Sequence, residues 1–369
     1  MKSYFLLLAG YACLILSGCI TEYEAKGLYE VKDILVVEGI ITEGESVITL
    51  SRSVNITDES PTWVVYVNDA TVSVECDDGT RVQADYRYNG QYVIPMGELN
   101  FDRVYRLKIE VDEEDRSGIE YCSDYMRPIR TPEIDRVFWS KRERGQPVNI
   151  HVATHSTDEE TLYYRWSYRE DWEIVSDLQS LDDDYPTHCW NGTNSRGLLI
   201  GSAERTVFGQ LMNIILEISP SDRKLEVLYR IRVKQNAISK QAYDYYANIK
   251  MNAWQTPNIF APIQSELKGN ITCTTDPDRP VIGYVDFSLT TQSELYISRI
   301  DQAYEYTTRD CTPVSQDTLM AWFMHVPETY VPFYWLNEMN GDSTLFYVFN
   351  RCVDCTFFGT TIKPEDWPK

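Results

Sequence analysis

The chain has 369 residues, with 34 Lys and Arg against 56 Asp and Glu and four His, for a formal net charge of −22. That excess of acid excludes the Lys- and Arg-rich surface a phosphate backbone demands, so no nucleic-acid partner is expected, and docking to an anionic membrane surface is equally disfavoured. An apolar fraction of 43% excludes a disordered chain, and at about 100–200 residues per domain the length suggests two domains.

The N-terminus carries an address. Lys2 supplies a positive charge, and Tyr4 to Leu16 is an apolar run. It falls short of the roughly 20 helical residues that span a bilayer, but it fits the apolar region of a signal peptide. It ends in Leu16-Ser17-Gly18-Cys19, a bacterial lipobox. Residues 1–18 therefore read as a lipoprotein signal peptide, with Cys19 as the lipidation site and residues 19–32 as a lipidated tether. Each buried methylene contributes about 0.8 kcal/mol, so two or three acyl chains hold a protein on a membrane without a transmembrane helix.

Residues 33–127 read as a β-sandwich. Ile34 to Val37 and Val47 to Leu50 flank Thr42-Glu43-Gly44-Glu45, a hairpin signal. Ala70 to Cys76 alternates, turns at Asp77-Asp78-Gly79 and returns through Arg81 to Arg87. Tyr88-Asn89-Gly90 turns into Gln91 to Ile94, and Tyr105 to Val111 has a period of two. Turn signals every 8–12 residues mark a sandwich of the immunoglobulin or fibronectin kind. Gly97, Leu99 and Tyr105 resemble a tyrosine corner, in which the Tyr hydroxyl ties a loop back to the backbone.

Arg127-Pro128-Ile129-Arg130-Thr131-Pro132 marks a boundary, because two prolines resist both helix and ladder pairing. A larger β-rich domain over 133–369 is expected after it, with strands near Val148–Thr154, Leu162–Tyr168, Leu225–Lys234, Val281–Ser288 and Leu295–Ile300. It carries one clear helix near 239–254. Ser239 is the expected cap, Ala242, Tyr243, Tyr246, Ala247, Ile249, Ala253 and Trp254 recur at helical spacing, and Pro257 is the expected stop. The fold class is mainly β.

Without Cys13 and Cys19, seven cysteines remain, an odd number. An exported protein permits disulfides. Cys76 and Cys122 share the first domain and are the expected pair. Cys352-Val353-Asp354-Cys355 follows a β-like run, so structural disulfides reaching Cys189 or Cys311 are expected rather than a redox site or zinc knuckle.

His151 and His155 are four apart but sit in a strand pattern, where four residues span about 13 Å, too far for one zinc. The acidic runs Asp112–Asp115 and Asp182–Asp184 lack the spacing of a calcium loop and read as solvated. No GxSxG, Walker loop, HExxH or dinucleotide fingerprint occurs. No metal, cofactor or catalytic residue is therefore assigned, and the chain is not expected to be an enzyme. Aromatics are the positive signal, with 26 Tyr, 12 Phe and 9 Trp. Exposed Tyr and Trp suit sugar rings or a protein partner. The candidate contacts are Tyr164, Trp166 and Tyr168, which share one strand face, and Tyr245 in Tyr243-Asp244-Tyr245-Tyr246. One face of that strand must be core, and the pattern alone leaves open which.

Several segments together resemble a known family. They are Leu35-Val36-Val37-Glu38-Gly39 behind the cysteine, Tyr229 to Gln235 leading into the helix, Gly269-Asn270-Ile271 before Val281 to Tyr284, and Cys352 to Cys355 followed by Gly359 and Pro364-Glu365-Asp366-Trp367. Their order is similar to that of a family of Bacteroidota outer-membrane lipoproteins known only as a domain of unknown function. The resemblance implies a β-rich lipoprotein, often encoded beside a TonB-dependent transporter, with a structural CxxC and a structural terminal Pro-x-x-Trp. It supplies no catalytic residues. Glu22 and Glu24 behind the anchor fit a surface-export signal of such lipoproteins or a solvated tether. The expected location is the outer membrane, on its periplasmic or cell-surface face, with the surface favoured. The expected role is a non-catalytic accessory or ligand-binding component of TonB-dependent uptake, with a β-barrel partner and a glycan or peptide ligand. The alternatives are a surface adhesin or structural module and, further off, a glycan- or peptide-hydrolysing enzyme.

Overall fold

A computed structural model describes residues 34–54, 64–113, 116–158, 161–181, 184–254, 268–301, 303–305, 311–337 and 343–368. The signal peptide, Cys19, the tether, Asp182, Asp183 and Pro257 lie outside the described residues.

The first module uses nine consecutive strands: β1 (Leu35–Glu38), β2 (Gly44–Arg52), β3 (Val65–Tyr66), β4 (Thr71–Cys76), β5 (Arg81–Gln83), β6 (Asp85–Tyr86), β7 (Gln91–Gly97), β8 (Tyr105–Glu113) and β9 (Arg116–Ser123). Two later strands join them, β17 (Ile271–Cys273) and β18 (Val281–Gly283). One sheet runs β18-β1-β2-β7-β6 with β3 beside β2, and the facing sheet runs β17-β9-β8-β4-β5. Apolar residues at alternate positions fill the space between them. Leu35, Val37, Ile48, Leu50, Tyr92 and Ile94 come from one sheet, and Val72, Val74, Leu107, Ile109, Val111 and Ile119 from the other. Tyr105 closes the corner as expected, its hydroxyl accepting from the Asn100 N–H at 3.0 Å.

Residues 271–283 therefore leave the second region and complete the first. β18 pairs in parallel with β1, Leu35 opposite Val281 and Val37 opposite Gly283. β17 pairs with β9, Ile271 opposite Ser123. Each sheet thus gains an edge strand from more than 140 residues downstream. The crossing is tight, because a Cβ on Gly269 would sit 1.7 Å from the Gly283 carbonyl oxygen. Beyond β18, Phe287 enters the first core and stacks on Tyr105, ring centroids 5.7 Å apart.

The second module is another sandwich. Its strands are β10 (Arg136–Ser140), β11 (Val148–His155), β12 (Tyr163–Val175), β13 (His188–Asn194), β14 (Leu199–Ser202), β15 (Gln210–Ile218), β16 (Leu228–Ala237) and β19 (Thr290–Ser298). One sheet runs β10-β11-β15, and the other runs β13-β12-β16-β19 with β14 beside β12. His151 and His155 lie on β11 as read. His151 Nε2 shares a hydrogen bond with Ser140 Oγ at 2.8 Å, and His155 pairs with Asp135 at 2.7 Å.

Helix α1 (Lys240–Trp254) follows β16 directly. Ser239 caps it, its hydroxyl accepting from the Ala242 N–H at 3.1 Å. The face bearing Ala242, Tyr245 and Tyr246 buries against Tyr163, Ile238 and Tyr284, which join the helix to both modules. The proline-rich boundary is equally tied down. The Pro132 carbonyl accepts from Gln235 Nε2 at 3.0 Å and from Thr291 Oγ1 at 2.9 Å, and Ile129 bridges to Ser288.

A C-terminal unit contains β20 (Val314–Ser315), helix α2 (Gln316–Phe323), β21 (Tyr330–Asn337) and β22 (Ser343–Phe349). The CxxC fastens it through two separate disulfides, Cys311–Cys352 and Cys189–Cys355. The expected Cys76–Cys122 pair does not form. Both are buried free thiols, as is Cys273, because Cys76 opposes Tyr105 and Cys122 opposes Lys108 and Thr272 in the ladder.

Candidate functional site

Strand β12 decides which side chains meet solvent. Successive side chains on a strand point to opposite faces. Tyr164 is fully buried and Trp166 is 2% exposed, and both pack with Tyr229, Ile231 and Val233 of β16 against Val148, Ile150 and Val152 of β11. The Tyr164 hydroxyl donates to the His155 carbonyl at 2.9 Å, and Trp166 Nε1 donates to Gln235 Oε1 at 2.8 Å. This corrects the expectation that Tyr164 serves as a ligand contact and leaves Trp166 a core residue that reaches the cleft wall. The aromatic face is the core face, since two large rings bury more apolar area there than Arg and Ser could. Tyr168 is half-buried at the edge of the same core, and Tyr245 is buried under α1. Burial pushes the hydroxyls of Tyr164, Tyr245 and Tyr284 up to about 12, so all three are neutral hydrogen-bonding groups.

The opposite face of β12 carries Arg165, Ser167, Arg169 and Asp171. The ladder sets Arg165 opposite Asn236, Ser167 opposite Lys234, Arg169 opposite Arg232 and Asp171 opposite Arg230. On the far side of β16, Lys234 opposes Gln292 and Arg232 opposes Glu294. This outer face is polar and densely cationic. Its anchor is Asp171, which is fully buried and receives Arg230 at 2.9 Å, Arg169 at 3.0 Å and Arg232 at 3.4 Å. Arg230 is itself buried. It donates to the Asp366 carbonyl at 3.2 Å and lies 5.1 Å from the Trp367 ring centroid. The terminal Pro-x-x-Trp is thus a strap that seals one end of the sheet face.

Three depressions follow β12 along this face. The first, of about 390 Å³, is a cleft between the modules. Val37 and Glu38 of β1 and Gly283 and Tyr284 of the β18 segment form one wall; Arg165, Ser167 and Ser195–Leu198 form the other, and Tyr245 and Tyr246 of α1 complete it. Arg165 donates to the Tyr246 hydroxyl at 3.0 Å and stacks over its ring at 4.9 Å. The second depression, of about 470 Å³, shares Ser167 and Ser195 with the first and adds Arg169, Arg232, Lys234, Asn194 and Gln292. The third, of about 380 Å³, shares Arg169 and runs to the strap at Pro364 and Glu365. Trp166, Tyr168 and Tyr245 touch these hollows at their walls, whereas Tyr164 does not. The cations were missed by a reading that weighed aromatics. Their signal was the Arg-x-Ser-x-Arg alternation in β12 and Arg230-x-Arg232-x-Lys234 in β16.

Behind the cleft lies Asp286, between the helix cap and the first core. Its carboxylate accepts from the Ser239 N–H at 3.4 Å, and its Oδ1 has no hydrogen-bond partner. Burial pushes the carboxyl up to about 7, against the pull of the Ser239 hydrogen bonds and of Arg165.

Among curated proteins, none matches the sequence significantly. Solved fibronectin type-III structures give distant likenesses. A two-domain fibronectin type-III segment of chicken tenascin matches at 11% identity and a TM-score of 0.18, covering 56% of this chain and 91% of that one. The FN1–FN3 domains of chicken CNTN1 match at 10% identity and a TM-score of 0.17, covering 55% of this chain and 59% of that one. At such scores the mainly β architecture rests on the sheets described above. The family model described as a domain of unknown function, DUF4249, matches residues 20–294, from the residue after Cys19 into β19, so the chain belongs to that family.

Proposed function

We propose that this protein is a lipid-anchored outer-membrane lipoprotein, acylated at Cys19, that serves as a non-catalytic ligand-binding accessory of a TonB-dependent uptake system. The observation that carries the reading is the concave cleft between the two sandwiches, lined by Arg165, Tyr245, Tyr246 and Tyr284. A ligand pocket of about 300–1,000 Å³ with a few convergent polar groups is the usual form of a small-molecule site. A purely structural surface module has no need of one. Hydrolysis calls for paired carboxylates, or a nucleophile beside a base, in one cleft. Here the polar part of the described lining is arginine, serine and tyrosine, with Glu38 as its carboxylate, beside apolar residues such as Val37, Leu198 and Ile249. The Bacteroidota origin, the lipid anchor and the transporter partner are supported by the lipobox and by the sequence resemblance.

Cys19→Ala in the native host tests the anchor and the role together. The variant is expected to leave the outer-membrane fraction and to slow uptake of the transported nutrient, whereas wild type does neither. A variant that stays membrane-bound refutes the anchor, and unchanged uptake after complete release refutes the accessory role.

A further inference from the structure

The chain carries 56 acids to 34 Lys and Arg, yet the first two depressions along β12 invert that ratio. Arg165, Arg196, Arg169, Arg232 and Lys234 line them, with Glu38 as the one carboxylate among their described lining residues. Asp171 lies beneath and neutralises only part of this charge. Arg169, Arg230 and Arg232 all converge on that single carboxylate, and with Glu294 opposite Arg232 on β19 the three arginines still leave one positive charge in excess, to which Arg165, Arg196 and Lys234 add. Lys234 is exposed, and no ion pair of it is present among the described residues. A like-charged cluster at a concave surface repels itself and focuses an outward field. An anionic ligand relieves that repulsion.

The neutral residues between the cations narrow the ligand class. Ser167, Asn194, Ser195 and Gln292 offer hydroxyl and amide groups that both donate and accept. Along the trough the backbone groups of β12 and β16 are paired in ladders on both sides, and the open edge of β19 faces away from it, so the trough itself presents side chains. Extended peptides are held mainly by main-chain hydrogen bonds at an open strand edge, with pockets for alternate side chains. A chain of hydroxyls bearing acidic groups needs neither. Arg169 and Arg232 stand directly opposite each other, as do Ser167 and Lys234, so cations recur along the trough at about two-residue intervals of roughly 6–7 Å.

We propose that this trough binds an acidic oligosaccharide, a sugar chain carrying carboxylate or sulfate groups, which lies along β12 from the inter-module cleft across Arg169, Arg232 and Lys234. The inference rests on the ligand-binding reading above and specifies its ligand.

The test is calorimetric titration of the full chain in detergent at low salt. The probes are hexagalacturonate, a sulfated hexasaccharide, neutral maltohexaose and hexaglutamate. The acidic sugars are expected to bind at least about tenfold more tightly than maltohexaose, with affinity falling as salt rises. The stronger of the two identifies carboxylate or sulfate as the charged group. Arg196→Glu and Lys234→Glu, both at exposed side chains, are each expected to weaken that binding about tenfold. Arg142→Glu with Arg144→Glu, in the exposed turn between β10 and β11, is expected to leave it unchanged and so controls for loose polyanion binding. Equal binding of maltohexaose, insensitive to Lys234→Glu, overturns the acidic class while leaving a sugar-binding accessory standing. Binding of hexaglutamate alone overturns the sugar class. Binding of no probe overturns the proposal, and the uptake reading is then decided separately by Cys19→Ala.

Discussion

Asp286 is a carboxylate held where water cannot reach it, with one oxygen unpartnered and its ordinary range displaced upward to about 7. In the unfolded chain it titrates near 3.9. The folded state therefore holds the proton more tightly between those values, and stability falls as pH rises from about 4 through about 7. The loss amounts to about 4 kcal/mol once both states are ionised. Carboxylates such as Glu120, held down by its bond to Lys108, give the opposite slope. The variant difference isolates the effect. Asp286→Asn is expected to raise the thermal midpoint at pH 8, to change it little at pH 4, and to flatten the wild-type decline between them; melts across that range check this. Trp166 illustrates the other residue-scale cost. Trp166→Ala empties a core site and leaves Gln235 Oε1 without its donor, so a loss of about 3–5 kcal/mol is expected in denaturant titrations. Arg169→Gln, by contrast, removes a side chain that is nearly half exposed. It is expected to cost about 1 kcal/mol, because the guanidinium is solvent-screened and Arg230 and Arg232 still hold the buried Asp171.

At the scale of elements, local patterns were readable and long-range partners were not. The hairpin around Gly44, the period of two over Tyr105–Val111, the tyrosine corner and the Ser239-capped helix all follow from neighbours within a few residues. The expected strand at Val281–Ser288 exists only over Val281–Gly283, and its place beside β1 depends on a contact some 240 residues distant. Nothing local marks that. The one hint was Gly269, whose missing side chain admits the Gly283 carbonyl. Gly269→Ala is expected to push β17 from β18 and destabilise the first module by about 3 kcal/mol. Circular dichroism melts of that variant, with Gly197→Ala as a control at a glycine with open space and no left-handed backbone, measure it. The disulfides failed in sequence for the same reason. Cys76 and Cys122 share a sandwich but not a register pair, whereas Cys189 and Cys355 meet across 166 residues. The site was half legible. Alternation put Tyr164, Trp166 and Tyr168 on one face of β12, but only burial against β11 identifies that face as core and its Arg-rich opposite as the exposed one.

For the whole molecule, the chain passes back and forth between two sandwiches that share structure. The first borrows β17 and β18 and Phe287 from downstream, and the boundary at Pro132 is hydrogen-bonded into the second. The modules are therefore expected to unfold together in one transition. A fragment ending at residue 127 lacks both borrowed strands and is expected not to fold, which its far-ultraviolet spectrum and melt would reveal. The cleft between the modules is accordingly a fixed feature of the surface, with walls from β1, β12 and α1. With the lipid anchor proposed above, a pre-formed cleft would be suited to capturing a ligand and presenting it to a transporter. The measurement that tests this role most directly is affinity purification of the tagged, lipidated protein from its own outer membrane, read by mass spectrometry. The account predicts a TonB-dependent β-barrel in near-stoichiometric yield, lost in a control carrying the tag alone. A clean preparation with no barrel protein above background, from cells in which the protein is present and anchored, would contradict it.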